Sequence, residues 1–243
     1  MRVVCNFSLV SNIAVPLLVM SAAFGGSVSN DLISGDLVFV QPPYNLQSPF
    51  DAAILATGKA TVEWMRRNGY ALPKGAENKT ATHVAVAMRE SDGSLHFVQA
   101  VPMMGVVKTS AQDFFRDNGA KRGSTFYFGR LTNCDRTAAE DASRIAETEV
   151  GKKYANDFSP PPSEFYCSSL VDYAYARALN RQSLDVFIAK RFTLIFEPLS
   201  FWKKYYDQMG MKLPVNVTGT NPTLLLHSPA VALFQSTAAP SFL

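Results

Sequence analysis

The sequence predicts an α+β domain, an antiparallel sheet packed against helices. Three observations predict it. Short apolar runs end in turn residues, and two of them, at 82–88 and 95–101, flank Ser91-Asp92-Gly93 as a β-hairpin. Longer segments with apolar residues at helical spacing cover 137–150 and 163–178. The strands cluster early and the longest helices follow them, an order typical of α+β chains.

Taken in order, Leu37 to Val40 reads as a buried strand, stopped by Gln41-Pro42-Pro43. Phe50, Ala53, Ile54 and Val62 fall at helical intervals, and the interruption at Gly58 predicts a helix followed by a second short one. From about Lys59 to Ala81 the chain carries Gly69, Pro73 and Gly75, and the polar stretch from Arg66 onward reads as an exposed insertion. A third strand at Gly105–Lys108, a helix from Ser110 to Asp117 and an aromatic-rich strand at Ser124–Leu131 come next. A helix opens after Asp135, and another opens with Ser163 as cap after Pro160-Pro161-Pro162. Trp202, Tyr205 and Tyr206 belong to a further helix as core residues, and 214–223 is extended or looped.

The first 26 residues read as a signal peptide, with Arg2, an apolar stretch from Phe7 to Val19, and small residues around Ser21-Ala22-Ala23. One domain, 27–243, is expected to follow. The expected destination is outside the cell or in a lysosome, with no stable membrane span after the signal is removed. Asn78-Lys79-Thr80 and Asn216-Val217-Thr218 are glycosylation sequons, usable in a eukaryotic host. At 47% apolar and 18% charged residues, the composition supports a real core. The net charge is +3 with scattered Lys and Arg, which argues against a nucleic-acid partner. Cys5 leaves with the signal, so Cys134 and Cys167 remain, either as one disulfide or as two thiols.

Cys167 falls in the first turn of the helix after the triproline. Unpaired backbone N–H groups and the positive end of the helix dipole favour a thiolate there. They also favour the oxyanion formed when sulfur attacks a carbonyl. His83 enters the first hairpin strand, and Ala85 and Ala87 on its face leave room for a helix end to approach. His96 and His227 have no comparable setting. If Ser91-Asp92-Gly93 is a three-residue loop with Gly93 left-handed, Gln99 faces Ala85 and lies diagonal to His83 on the same side. Its amide then accepts from the imidazole and holds the tautomer, without supplying the charge of a carboxylate. Glu90, at the hairpin end, reads as a solvated charge, with replacement of that carboxylate as its alternative role.

These pieces resemble the permuted papain-like amidase family of YiiX/YaeF type, a circular permutation of the NlpC-type cysteine peptidase fold. The resemblance rests on Gly35-Asp36-Leu37-Val38-Phe39, Ala56-Thr57-Gly58, Thr82-His83-Val84-Ala85-Val86 and Phe97-Val98-Gln99-Ala100. Later in the chain it rests on Gly151-Lys152-Lys153-Tyr154, Phe165-Tyr166-Cys167-Ser168-Ser169-Leu170-Val171 and Gly219-Thr220-Asn221-Pro222, in family order. It implies Cys167 as nucleophile, His83 as base and Tyr166 as a residue that polarises the substrate carbonyl. Gln99 and Ser169 stand where the family usually or often has Glu.

The expected activity is hydrolysis of a peptide or acyl-amino acid amide through a thioacyl intermediate, with no cofactor or metal. Two rival readings remain: acyl transfer on a lipid substrate, as in lecithin:retinol acyltransferase-like proteins, and an inactive ligand-binding member.

Overall fold

The computed structural model describes residues 31–238, apart from 120, 121, 183, 184, 189 and 190, so the expected signal peptide lies outside the described residues. Six strands form one antiparallel sheet: β1 (Leu37–Gln41), β2 (His83–Arg89), β3 (Leu95–Val101), β4 (Gly105–Ser110), β5 (Thr125–Leu131) and β6 (Val231–Ala238). Their spatial order is β4-β3-β2-β1-β5-β6. The expected α+β class holds. The edge strand β6 was not anticipated from the sequence.

Both faces of the sheet are buried, which is why β1 is apolar from Leu37 to Val40 rather than alternating. On one face Leu37, Val84, Val86, Val98 and Ala100 pack against α3 (Arg136–Thr148) and α4 (Cys167–Ala178). On the other, Val38, Ala85, Ala87, Phe97, Phe126 and Phe128 are covered by Phe114 and Phe115 of α2 (Ala111–Asp117). Trp202 and Tyr206 of α5 (Leu199–Gln208) are buried core residues, as expected.

The expected break at Gly58 does not occur. A single helix, α1 (Pro49–Arg67), runs through it, opened by reciprocal bonds between Ser48 and Asp51. Gly58 is there for close packing: a Cβ would lie 2.4 Å from Thr223 Oγ1 on α6 (Pro222–Leu226). The expected insertion is accordingly less separate than its composition suggests. Lys59 to Arg67 belong to α1, and Ala76, Thr80 and Ala81 are buried. Ala81 N donates to Thr223 Oγ1, and His227 Nε2 bonds the Lys79 carbonyl at 2.8 Å.

Gly58→Ala should therefore lower the urea midpoint. Thr223 Oγ1 is held by Ala81 on both its N–H and carbonyl and cannot swing away freely. Overpacking of this kind costs roughly 1–3 kcal/mol, against about 1 kcal/mol regained in helix propensity.

Candidate active site

Cys167 occupies the first position of α4, nearer the helix end than a Ser163 cap would place it. The cause is the segment ahead of the helix. Phe165 is pinned in extended form, donating to Lys153 O and accepting from Ala155 N, so helical geometry begins only after Tyr166. Ser169, three residues beyond Tyr166, bonds both the Tyr166 amide and carbonyl at 3.0 Å. Its hydroxyl does the local work of a Glu in a capping box. Cys134 and Cys167 are both free thiols, so the disulfide alternative falls away.

The hairpin has the three-residue loop. Val86 pairs with Val98 and Arg89 with Leu95, and Gly93 sits at φ +84°. Gln99 thus lies on the same side as His83, and its Oε1 is 2.7 Å from His83 Nε2. The Gln99 amide nitrogen donates to Thr109 Oγ1 at 3.1 Å, which turns the oxygen toward the ring. His83 Nε2 is then the protonated nitrogen, and Nδ1 carries the lone pair.

One expectation is overturned. The space beside Ala85 and Ala87 is filled by the phenylalanines around α2, and the His83 ring lies 6.4 Å from that of Phe114. The helix carrying Cys167 packs on the opposite face, so sulfur and imidazole come from the two sides of the sheet. Cys167 shares a buried cluster with Val84 and Val86 of β2. Paired residues of β2 and β3 end at Val86–Val98, although β3 continues to Val101 against β4. The backbone amides of Val84, Ser168 and Cys167 favour the thiolate. Val84 adjoins His83 in sequence. Among the described residues, sulfur and imidazole make no hydrogen bond to each other; in ligand-free enzymes such contacts are commonly long and tighten with substrate.

Tyr166 Oη accepts from Thr220 N–H at 3.1 Å and has no acceptor for its own proton among the described residues. Tyr166, Cys167, Ser168 and Thr220 line a narrow cleft of about 50 Å³ whose other walls are mainly apolar, including Ile54, Phe158, Leu194, Ile195, Phe196 and Trp202. Trp202 is therefore both core and wall, a double role its helical spacing did not reveal. Glu90 does not stand in for an acid. It is bonded to Lys108 at the other end of β2, on the order of 20 Å along the strand from His83. The carboxylate that acts electrostatically on His83 is Asp51, in the first turn of α1. Its Ser48 capping pattern was readable in sequence, but its distance from His83 was not.

Burial pushes the Cys167 thiol up to about 11, with the three amides pulling the other way. Burial also lowers the His83 pKa, opposed by Gln99 and then Asp51. Burial raises that of Tyr166. At neutral pH the resting site is a neutral thiol, a neutral imidazole and a phenol.

A thiol at the start of a helix packed against the central strands of an antiparallel sheet is an arrangement of the papain-like fold class. Residues 31–234 match the sequence model of the permuted papain-like amidase enzyme family YaeF/YiiX, C92, and the chain belongs to that family. The structure resembles that of metalloprotein yiiX from Escherichia coli O157:H7. The TM-score is 0.60 at 19% identity, over 84% of this chain and 97% of that one. No curated protein matches the chain. That neighbour is described as a metalloprotein; among the described residues here, no three His, Cys, Asp or Glu side chains are grouped to hold a metal ion.

Burial lowers the pKa of both His83 and His227 below the ordinary 6.5. Below that pH the unfolded chain takes up protons that the folded chain refuses, so stability should fall as pH drops. Each histidine can contribute at most about 1.4 kcal/mol per pH unit. The urea midpoint should hold above pH ~7 and decline from 6.5 to 5.5, the histidine range. The decline should be shallower in His227→Gln.

Proposed function

We propose that this protein is a secreted cysteine amidase, with residues 1–26 as its export signal, which cleaves an amide through a thioacyl intermediate on Cys167. The observation that carries the reading is the sulfur at the first position of α4, in the wall of a cleft that Tyr166 and Thr220 also line. His83 Nδ1 takes the thiol proton because Nε2–H is committed to Gln99 Oε1. Sulfur attacks the carbonyl, the amine leaves with the proton from His83, and water activated by His83 releases the acid. The Cys167 N–H and the free Tyr166 O–H are the oxyanion donors.

The apolar walls over Cys167 suit an apolar acyl group better than a polar peptide. That observation favours acyl amides, including acyl-amino acids, within the amidase reading. It also supports a second reading, acyl transfer on a lipid. The two separate at the second step. The amidase releases free acid to water, whereas the transferase holds its thioacyl state until an acyl acceptor is added, which mass spectrometry of Cys167 distinguishes.

Cys167→Ala should abolish turnover and acyl labelling alike. Native protein that takes no label from a thiol-directed acyl probe would instead be a binding module. The pH dependence of kcat/KM should have an acid limb below 6.5, since His83 must be neutral and its pKa is lowered. The profile should then be flat through pH 9, because the thiol pKa is about 11. Gln99→Glu should retain activity and move the acid limb to higher pH, because a carboxylate favours the imidazolium. Gln99→Leu removes the orienting bond and should cost kcat at least ~10-fold.

A further inference from the structure

We infer that the turn joining β3 to β4, Pro102-Met103-Met104, is a docking tip for the surface of a phospholipid bilayer, set at the end of the sheet that carries His83. The inference is independent of the chemistry at Cys167 and concerns where the protein works.

The tip has turn geometry without turn chemistry. Met104 N donates to Val101 O at 3.2 Å, Pro102 is the second residue of the turn, and Met103, the third, sits at φ +67°. This is a type II turn, whose third position favours Gly or Asn. Packing does not explain methionine there: Met103 is fully exposed and Met104 is 68% exposed. A left-handed residue other than glycine is strained, and strain of this kind points to a use.

Neighbouring groups extend the tip on one side. Gly105 lies against the backbone of Lys152 and Lys153, and Gly151 N donates to Val106 O. These contacts bring Val150, 45% exposed, and the exposed Lys153 beside the methionine turn. Lys152 is paired with Glu149, so Lys153 supplies the cation. β2 begins at His83 and β3, antiparallel to it, ends at Val101, so the turn leaves the sheet at the His83 end. Tyr154, the residue after Lys153, lines the apolar cleft that contains Cys167.

The size of the patch selects the partner. Two methionines, a proline and a valine offer far less than the ~800 Å² that each side of an ordinary protein interface buries. A bilayer requires less. A few apolar side chains in the headgroup layer, with a cation beside anionic lipids, give reversible binding. Methionine, long and unbranched, adapts to such a surface. Among the described residues no helix is long and apolar enough to cross a membrane, so this attachment is peripheral.

The test sediments the full chain with vesicles of phosphatidylcholine containing a minority of phosphatidylglycerol. Met103→Ser and Met104→Ser should each weaken binding about tenfold, with an unchanged urea midpoint because both side chains are exposed. Lys153→Ala should weaken it about fivefold on these vesicles and leave binding to phosphatidylcholine alone as it was. Met103→Trp reads the tip directly: the emission of the added indole, taken as the difference from the native protein, should shift to shorter wavelength with vesicles and be quenched by brominated lipid. Absence of vesicle binding overturns the inference. So does equal binding by native protein and the double variant, or an added indole that still emits as in water. Cys167→Ala should bind vesicles as the native chain does, so failure of the amidase reading and failure of the docking tip are separate results.

Discussion

The end of pairing between β2 and β3 after Val86 and Val98 is the constraint on which the site depends. A continuous ladder there would commit the Val84 amide to Ala100 and close the edge that the start of α4 faces. On the other side of β3, Val106 N donates to Lys152 O, and Gly151 N donates to Val106 O, tying β4 to the segment that leads into α4. A Cβ on Gly105 would meet Lys152 O at 2.1 Å, so this contact requires glycine there. The family pieces Gly151-Lys152-Lys153-Tyr154 and Phe97-Val98-Gln99-Ala100 are thus parts of one mechanical arrangement.

Burial and hydrogen bonding oppose each other at Cys167. Desolvation is the larger effect, so the thiol pKa rises despite three converging amides. A neutral resting pair follows, since burial also disfavours the imidazolium at His83. In the proposed reaction charge then appears during proton transfer rather than before it, where preorganised amides contribute most. The same burial makes the histidines unfavourable to the folded chain in acid, so the site's chemistry and the protein's pH stability have one origin.

The sequence carried much of the fold because both faces of the sheet are buried and the turns have strong local chemistry. Gly93 in a left-handed conformation set the hairpin register, and from that register the His83–Gln99 bond followed. Signals with two physical meanings misled. Gly58 resembles a helix break by propensity, yet its role is close approach to Thr223, which lies far away in sequence. Ser163 has the chemistry of a cap, but the pairing of Phe165 with Lys153 and Ala155 overrides it. Ala85 and Ala87 signal a close neighbour without saying which, and the phenylalanines of α2 fill the space. Asp51, Thr82 and the walls of the cleft come from segments scattered along the chain, and no local pattern gathers them.

Gln99 in place of an acid fits this electrostatic setting better than a weakened triad would suggest. A buried carboxylate beside His83 would favour the imidazolium, a charged form the surroundings otherwise oppose. An amide holds the ring without that bias, and Thr109 fixes which end of the amide faces it. Papain-like proteases of Cys-His-Asn type likewise complete their triad with an amide. What an amide leaves unsupplied is stabilisation of charge, and backbone donors around the sulfur provide it without any ionisable partner. Under the proposed function, the electrostatic support that a carboxylate would give falls to the backbone at the start of α4, where the Cys167 and Ser168 amides favour the thiolate.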